Sequence, residues 1–173
     1  MPISEKEDYS RWPKYIKPEQ PNMDRIKVLS KEFNTTLTAT AIRYVQLSIE
    51  PCAIAISKDR NIKWYKKSKS FDFHVKVGKK VSPDSYAFDF YDGIDLPDKP
   101  MKASAHAWFT GDFDEDAEIF EHSIGFYNYG VVISLLWVND DIRPYSRRED
   151  YYERNPEFDL SNPFTPDGKR WRW

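Results

Sequence analysis

Hydrolytic zinc, metal capture and covalent catalysis each demand particular residues at particular spacings, and this sequence offers few candidates. It holds three histidines, His74, His106 and His122, and one cysteine, Cys52. A catalytic zinc takes about three protein ligands plus an activated water. No histidine has another four residues away, so no helical turn presents two imidazoles to one ion. Glu118 and His122 stand four apart, but in a stretch that alternates like a strand, where they share a face yet lie too far apart to chelate one ion easily. His106, close to Trp108, reads as a packed strand residue. Asp112, Asp114 and Asp116 imitate the start of an EF-hand loop. Ala117 then occupies the glycine position and Ser123 the place of the bidentate glutamate, so a dedicated calcium site is not expected. That acidic cluster reads instead as the cap of a solvated hairpin.

Nucleophilic chemistry has no better footing. There is no Gly-x-Ser-x-Gly elbow, the strained turn that exposes a serine nucleophile. Cys52 follows Pro51 and opens an apolar stretch, where a thiol behaves as a small inert hydrophobe. The six glycines are scattered, which leaves no phosphate-cradling loop. The expectation is no catalytic residue, no metal site and no cofactor.

Recognition is a stronger prospect. Thr38, Arg43 and Gln46 fall on the outward face of a helix predicted from Leu37 onward. Arg43 can read guanine or a phosphate, and Gln46 can read adenine. The nearby cations Arg25, Lys27, Lys31 and Arg43 are offset by Asp24, Glu32 and Glu50, whereas specific DNA binding rests on several phosphate contacts. Docking of a protein therefore ranks ahead of DNA. Phe73, Tyr86 and Trp108, with Phe71, Phe88, Phe90 and Phe109, suit the wall of a ligand pocket and equally suit a filled core. Near the end, Lys169, Arg170, Trp171 and Arg172 interleave cations with rings, which fits a cation–π clasp onto the protein's own surface. Stacking on single-stranded nucleic acid is the alternative.

The elements that must hold these residues follow from periodicity. Residues 1–21 read as an irregular arm, interrupted by Pro2, Pro13, Pro18 and Pro21. Asn22 is a natural N-cap. Met23, Ile26, Leu29 and Phe33 then recur at helical spacing. Asn34-Thr35-Thr36 breaks that helix, and Thr36 caps a second one in which Leu37, Ala41, Tyr44, Val45 and Ser48 share a face. The pair, 22–50, reads as a helix-turn-helix. From Cys52 the period becomes strand-like. Cys52 to Ser57 and Ile62 to Lys66 form a hairpin. Phe71 to Val77 alternate as a half-buried strand, and Pro83 to Tyr91 suit a short helix capped by Ser82. Ala103–Thr110, Glu118–Phe126 and Tyr129–Val138 read as strands, the last of them central. The fold class is α+β: a helix-turn-helix, then a mostly antiparallel sheet domain over 51–139, then a charged, aromatic tail over 140–173.

Composition agrees with a single soluble domain. The chain has 173 residues, 40% hydrophobic and 16% aromatic, with a formal net charge of −2. That aromatic area is enough to build a core, and wholesale disorder is not expected. A near-neutral chain makes no global electrostatic claim on nucleic acid or anionic lipid. A lone cysteine excludes a disulfide framework. No stretch is long and apolar enough to span a bilayer and none resembles a signal peptide, so a cytoplasmic location without membrane partners is expected.

Several stretches together carry a family resemblance. Asp24-Arg25-Ile26, Leu29-Ser30-Lys31-Glu32-Phe33 and Leu37-Thr38-Ala39-Thr40-Ala41-Ile42-Arg43-Tyr44-Val45 resemble the helix-turn-helix of ImmA/IrrE-family metallo-endopeptidases. The similarity runs on through Glu50-Pro51-Cys52-Ala53, Ile119-Phe120-Glu121-His122-Ser123, Leu135-Leu136-Trp137 and Asp167-Gly168-Lys169-Arg170. It implies a terminal domain of GAF-like fold, a sheet-and-helix sensor or binding module. It also sets a contrast, because the family's peptidase part carries His-Glu-x-x-His and this chain does not. Met1-Pro2 looks like the end of the helix that follows that motif. The chain thus resembles the family's non-catalytic C-terminal portion, expected to regulate or to recognise substrate without being an enzyme itself. The partner so implied is a repressor-type protein or the missing peptidase domain. The alternatives are a DNA-binding regulator acting near Arg43 and a small-ligand sensor.

Overall fold

A computed structural model of the chain describes residues 21–111 and 113–138. The expected arm, the charged tail and Asp112 lie outside the described residues, apart from Pro21 at the arm's end.

Local chemistry starts both N-terminal helices where the caps predict. The Asn22 side chain accepts from the Arg25 N–H at 2.9 Å and opens α1, Met23–Glu32. After a turn in which Asn34 takes φ 53°, the Thr36 hydroxyl accepts from the Ala39 N–H at 3.2 Å and opens α2, Leu37–Leu47. Each cap satisfies a backbone donor that the first helical turn leaves unpaired.

Among the described residues seven strands follow in antiparallel pairings. β1 (Cys52–Lys58), β2 (Asn61–Lys67), β4 (Met101–Ser104), β6 (Glu118–Phe126) and β7 (Val131–Trp137) form one five-stranded sheet in the order β2-β1-β7-β6-β4. β3 (His74–Val75) and β5 (Phe109–Thr110) form a separate two-stranded ribbon. The short helices α3 (Tyr86–Tyr91) and α4 (Ala105–Trp108) lie in the connections. The result is a mixed helix and antiparallel-sheet fold, α+β as expected, with β7 in the middle of the sheet.

Strand alternation divides the core between the two faces of the sheet. On one face Cys52, Ile54, Ile133 and Leu135 pack with Met23 and Ile26 of α1 and Ala41, Tyr44 and Val45 of α2. On the other, Ala53, Ala55, Val132 and Leu136 pack under an aromatic layer that includes Phe71, Phe73, Trp108 and Phe109. Because both faces are covered, β7 is buried at nearly every position and reads as a continuous apolar run. The helical pair therefore shares a core with the sheet.

Three expected elements differ. Ala103–Thr110 is not one strand. It is β4, one turn of helix α4, then β5. Its alternating alanines imitate a half-buried strand. The helical turn, for which alanine is well suited, instead buries Ala105, Ala107 and Trp108. His106 accordingly sits on a helix instead of a strand. The alternation predicted for Phe71–Val77 is real as far as Val75, with Phe71, Phe73 and Val75 buried and Asp72 and His74 exposed, but ladder pairing is confined to His74 and Val75 because β5 offers only two residues. Finally, α3 starts at Ser85 and not at Ser82, and Ser85 makes no side-chain cap bond. Asp114 and Asp116 lie between β5 and β6, strands of different sheets, so these two do not cap a hairpin.

Candidate functional site

The cap that α3 lacks is supplied from a distant strand. Glu121, on β6, is 1% exposed. Its Oε2 accepts from the Tyr86 N–H at 3.1 Å and from Trp108 Nε1 at 2.8 Å, and its Oε1 from the Ala87 N–H at 2.7 Å and the Ser123 hydroxyl at 2.8 Å. Ser123 in turn lies 2.7 Å from the hydroxyl of Ser134, its cross-strand partner on β7. Burial pushes the Glu121 carboxyl above its usual range, while Trp108, Ser123 and the two backbone donors pull it down. Tyr86, Ala87 and Trp108 offer donors only, a setting that suits an accepting carboxylate. One side chain thus fixes α3, α4 and the centre of the sheet in a single network.

Beside this network a cleft of about 470 Å³ opens between α3 and the edge strand β4, lined by Asp84, Tyr86, Asp89, Lys102, Glu115 and Glu118 among others. Lys102 pairs with Glu118 at 2.6 Å across the edge. Of the three residues expected to line a ligand pocket, Tyr86 borders this cleft. Phe73 and Trp108 do not: Phe73 stacks on Phe109 at 5.1 Å and is set against Phe71 at 5.4 Å, and Trp108 is 1% exposed with its indole N–H spent on Glu121. The space a ligand would need there is occupied by rings.

The three histidines are held separately. His74 Nδ1 lies 3.5 Å from the Tyr65 hydroxyl, His106 Nε2 lies 3.2 Å from the Asp114 carbonyl, and His122 Nδ1 accepts from the Met23 N–H at 3.0 Å. Burial holds His122 below the usual imidazole range, Asp24 and Asp98 raising it and Lys27 lowering it to lesser degrees. Among the described residues no group of three His, Cys, Asp or Glu side chains gathers around a point where a metal ion would fit. The Cys52 thiol is buried and is pushed up to about 11 by that burial, so it is a poor nucleophile at neutral pH.

The recognition residues on α2 are not equivalent. Gln46 is exposed, while Thr38 and Arg43 are half-buried, and the Arg43 Nε is shielded from solvent. The helix face opposite them, with Thr40, Ala41, Tyr44 and Val45, is buried. Glu121 escaped the sequence reading, although an acid set among Ile119, Phe120 and Ser123 in a buried strand is a signal. No helix among the described residues is long and apolar enough to cross a membrane. No protein-family model matches the chain, and no curated protein matches it.

Proposed function

We propose that this chain is a non-catalytic regulatory and substrate-recognition module of the ImmA/IrrE type, in which a helix-turn-helix is built onto a GAF-like sheet domain and docks a repressor-type protein. The sheet supports the GAF-like reading. With the two-residue strands set aside, its order is 2-1-5-4-3, wholly antiparallel, with helices on one face and the α3–α4 connection on the other. The observation that carries the functional reading is the way α1 and α2 sit on that sheet. They share its hydrophobic cluster, and the first turn of α1 is hydrogen-bonded to His122 on β6. A pair held this way is a fixed surface for a protein partner and moves only with the sheet. The half-buried Arg43 is a poor groove-reading residue by comparison, because direct readout needs a side chain that extends into the groove.

The test is to titrate the purified chain by calorimetry against repressors encoded beside its gene, and to assay each repressor for cleavage with and without a chelator. The reading predicts saturable binding of one repressor with no cleavage. Chelator-sensitive cleavage by the chain alone contradicts it, as does sequence-selective binding to genomic duplex that Arg43→Ala abolishes.

A further inference from the structure

A net charge of −2 conceals a strong local imbalance. Between Lys58 and Lys80 lie eight lysines and one arginine against two aspartates, Asp59 and Asp72. The fold concentrates that excess on one edge of the molecule. β2 is an outer strand of the five-stranded sheet and carries Lys63, Lys66 and Lys67, with Lys58 just before it and Lys69 just after. The chain then returns alongside. Ile62 N–H donates to the Lys79 carbonyl at 2.9 Å, Gly78 N–H to the Ile62 carbonyl at 2.8 Å, and Val81 N–H to the Arg60 carbonyl at 2.9 Å. Those bonds set Lys79 and Lys80 against the start of β2. Arg60 is paired with Asp92 and Lys76 donates to the His106 carbonyl. The remaining seven lysines form no ion pair with a described carboxylate. Trp64, 37% exposed, shares its face of β2 with Lys66, while Lys67 lies on the other.

Lysines on an outer strand commonly serve to discourage pairing with another sheet. That accounts for Lys63, Lys66 and Lys67, and for Lys79 and Lys80 where the return segment covers the start of β2, but Lys58, which ends the inner strand β1, and Lys69, which follows β2, guard no edge. We infer that the β2 edge, from Lys58 through Lys69 with Lys79 and Lys80 beside it, is a binding face for single-stranded nucleic acid. The lysines track the phosphodiester backbone, and the Trp64 indole takes a base by stacking. Such a combination of cations with an open ring is how strands are held without sequence readout. A duplex hides its base faces and has no use for Trp64. An acidic peptide would need to pair with the strand or fill a pocket, and the backbone at Arg60 and Ile62 is already taken by the return segment. The proposal does not depend on the helical docking surface above, although α2 packs against β2.

The experiment is fluorescence anisotropy of the intact chain with a labelled oligothymidylate of about 15 nucleotides, repeated from 50 to 200 mM salt. With about five phosphates neutralised, affinity is expected to fall about a hundredfold across that range. Trp64→Ala is expected to weaken binding by about fivefold or more. Lys63→Glu/Lys66→Glu/Lys69→Glu, and separately Lys79→Glu/Lys80→Glu in the return segment, are expected to weaken it at least tenfold with an unchanged melting temperature. Arg43→Ala is expected to leave it unchanged. The inference is overturned if no binding is seen at 50 mM salt, if a duplex binds as tightly, or if Arg43→Ala removes binding. It is equally overturned if polyglutamate or phosphatidylserine vesicles bind as tightly as the oligonucleotide.

Discussion

The imidazole of His122 accepts a hydrogen bond from the backbone N–H of Met23, 3.0 Å away and 99 residues distant in sequence. The N–H belongs to the first turn of α1, whose leading donors have no partner inside the helix. An acceptor at Nδ1 requires a neutral ring with its proton on Nε2, and burial of His122 favours that neutral form. The bond ties the beginning of the helical pair to the fourth strand of the sheet's order, β6.

Acid therefore acts on this tie. The unfolded chain takes up a proton near the ordinary imidazole pKa of about 6.5, whereas folded His122 resists until the pH is lower. In that window the unfolded state binds more protons, so the contribution is complete above pH ~6.5 and is lost as pH falls toward the depressed folded value. Urea titrations of wild type and His122→Gln between pH 5 and 8 are expected to diverge only in the acidic part, wild type losing more stability on acidification. Parallel curves would contradict the assignment.

Glu121 is predicted to be the most sensitive polar position. In Glu121→Gln one accepting oxygen becomes a donor; facing Ala87 and Ser123 it leaves the Ala87 N–H unpaired while the Ser123 hydroxyl turns to accept, and facing Tyr86 and Trp108 it leaves both donors unpaired. Leaving one such buried donor unpaired, the lesser loss, costs about 1–3 kcal/mol. Urea unfolding should show that loss, and the near-ultraviolet signal of Trp108 should change with it. A loss under about 0.5 kcal/mol would mean that the network contributes little.

Gly125 on β6 lies against the Phe90 ring, and a methyl group there would collide with the ring's edge. Gly125→Ala is expected to cost about 1–3 kcal/mol through overpacking. Because one clash is responsible, the cost should shrink sharply when Phe90 is already alanine. Additive losses in the double-mutant cycle would place the cause elsewhere.

Cys52 is expected to resist thiol reagents at pH 8 in the native state and to react rapidly once urea unfolds the chain. Its raised pKa also implies a stability loss at high pH. The unfolded thiol ionises near 9 while the folded one holds its proton to about 11, so stability declines as pH climbs through that interval. Prompt labelling of the native protein would show that the β1 end of the sheet opens.

Much of this architecture is legible in the sequence where local chemistry decides it. Asn22 and Thr36 announce both helices, and the apolar run at Val131–Trp137 announces a strand covered on both sides. Tertiary demands obscured the rest. The helical turn of α4 is four residues set between two strands, too short to break the apparent alternation of its alanines. Glu121 draws its partners from α3, α4 and β6, so its purpose emerges only when those segments meet. The basic edge was hidden by a whole-chain charge near zero, and a running local sum over Lys58–Lys80 would have found it.

The claim on which the functional reading depends is that α1 and α2 belong to the sheet's cooperative unit. Native-state hydrogen exchange measures this directly by comparing opening free energies. Amides in the middle of α2, at Tyr44 and Val45, are predicted to open with the same free energy and denaturant dependence as Ile133 and Leu135 in β7. If the helical amides exchange through a separate opening several kcal/mol easier than the strand's, the pair is an independent head and the account fails.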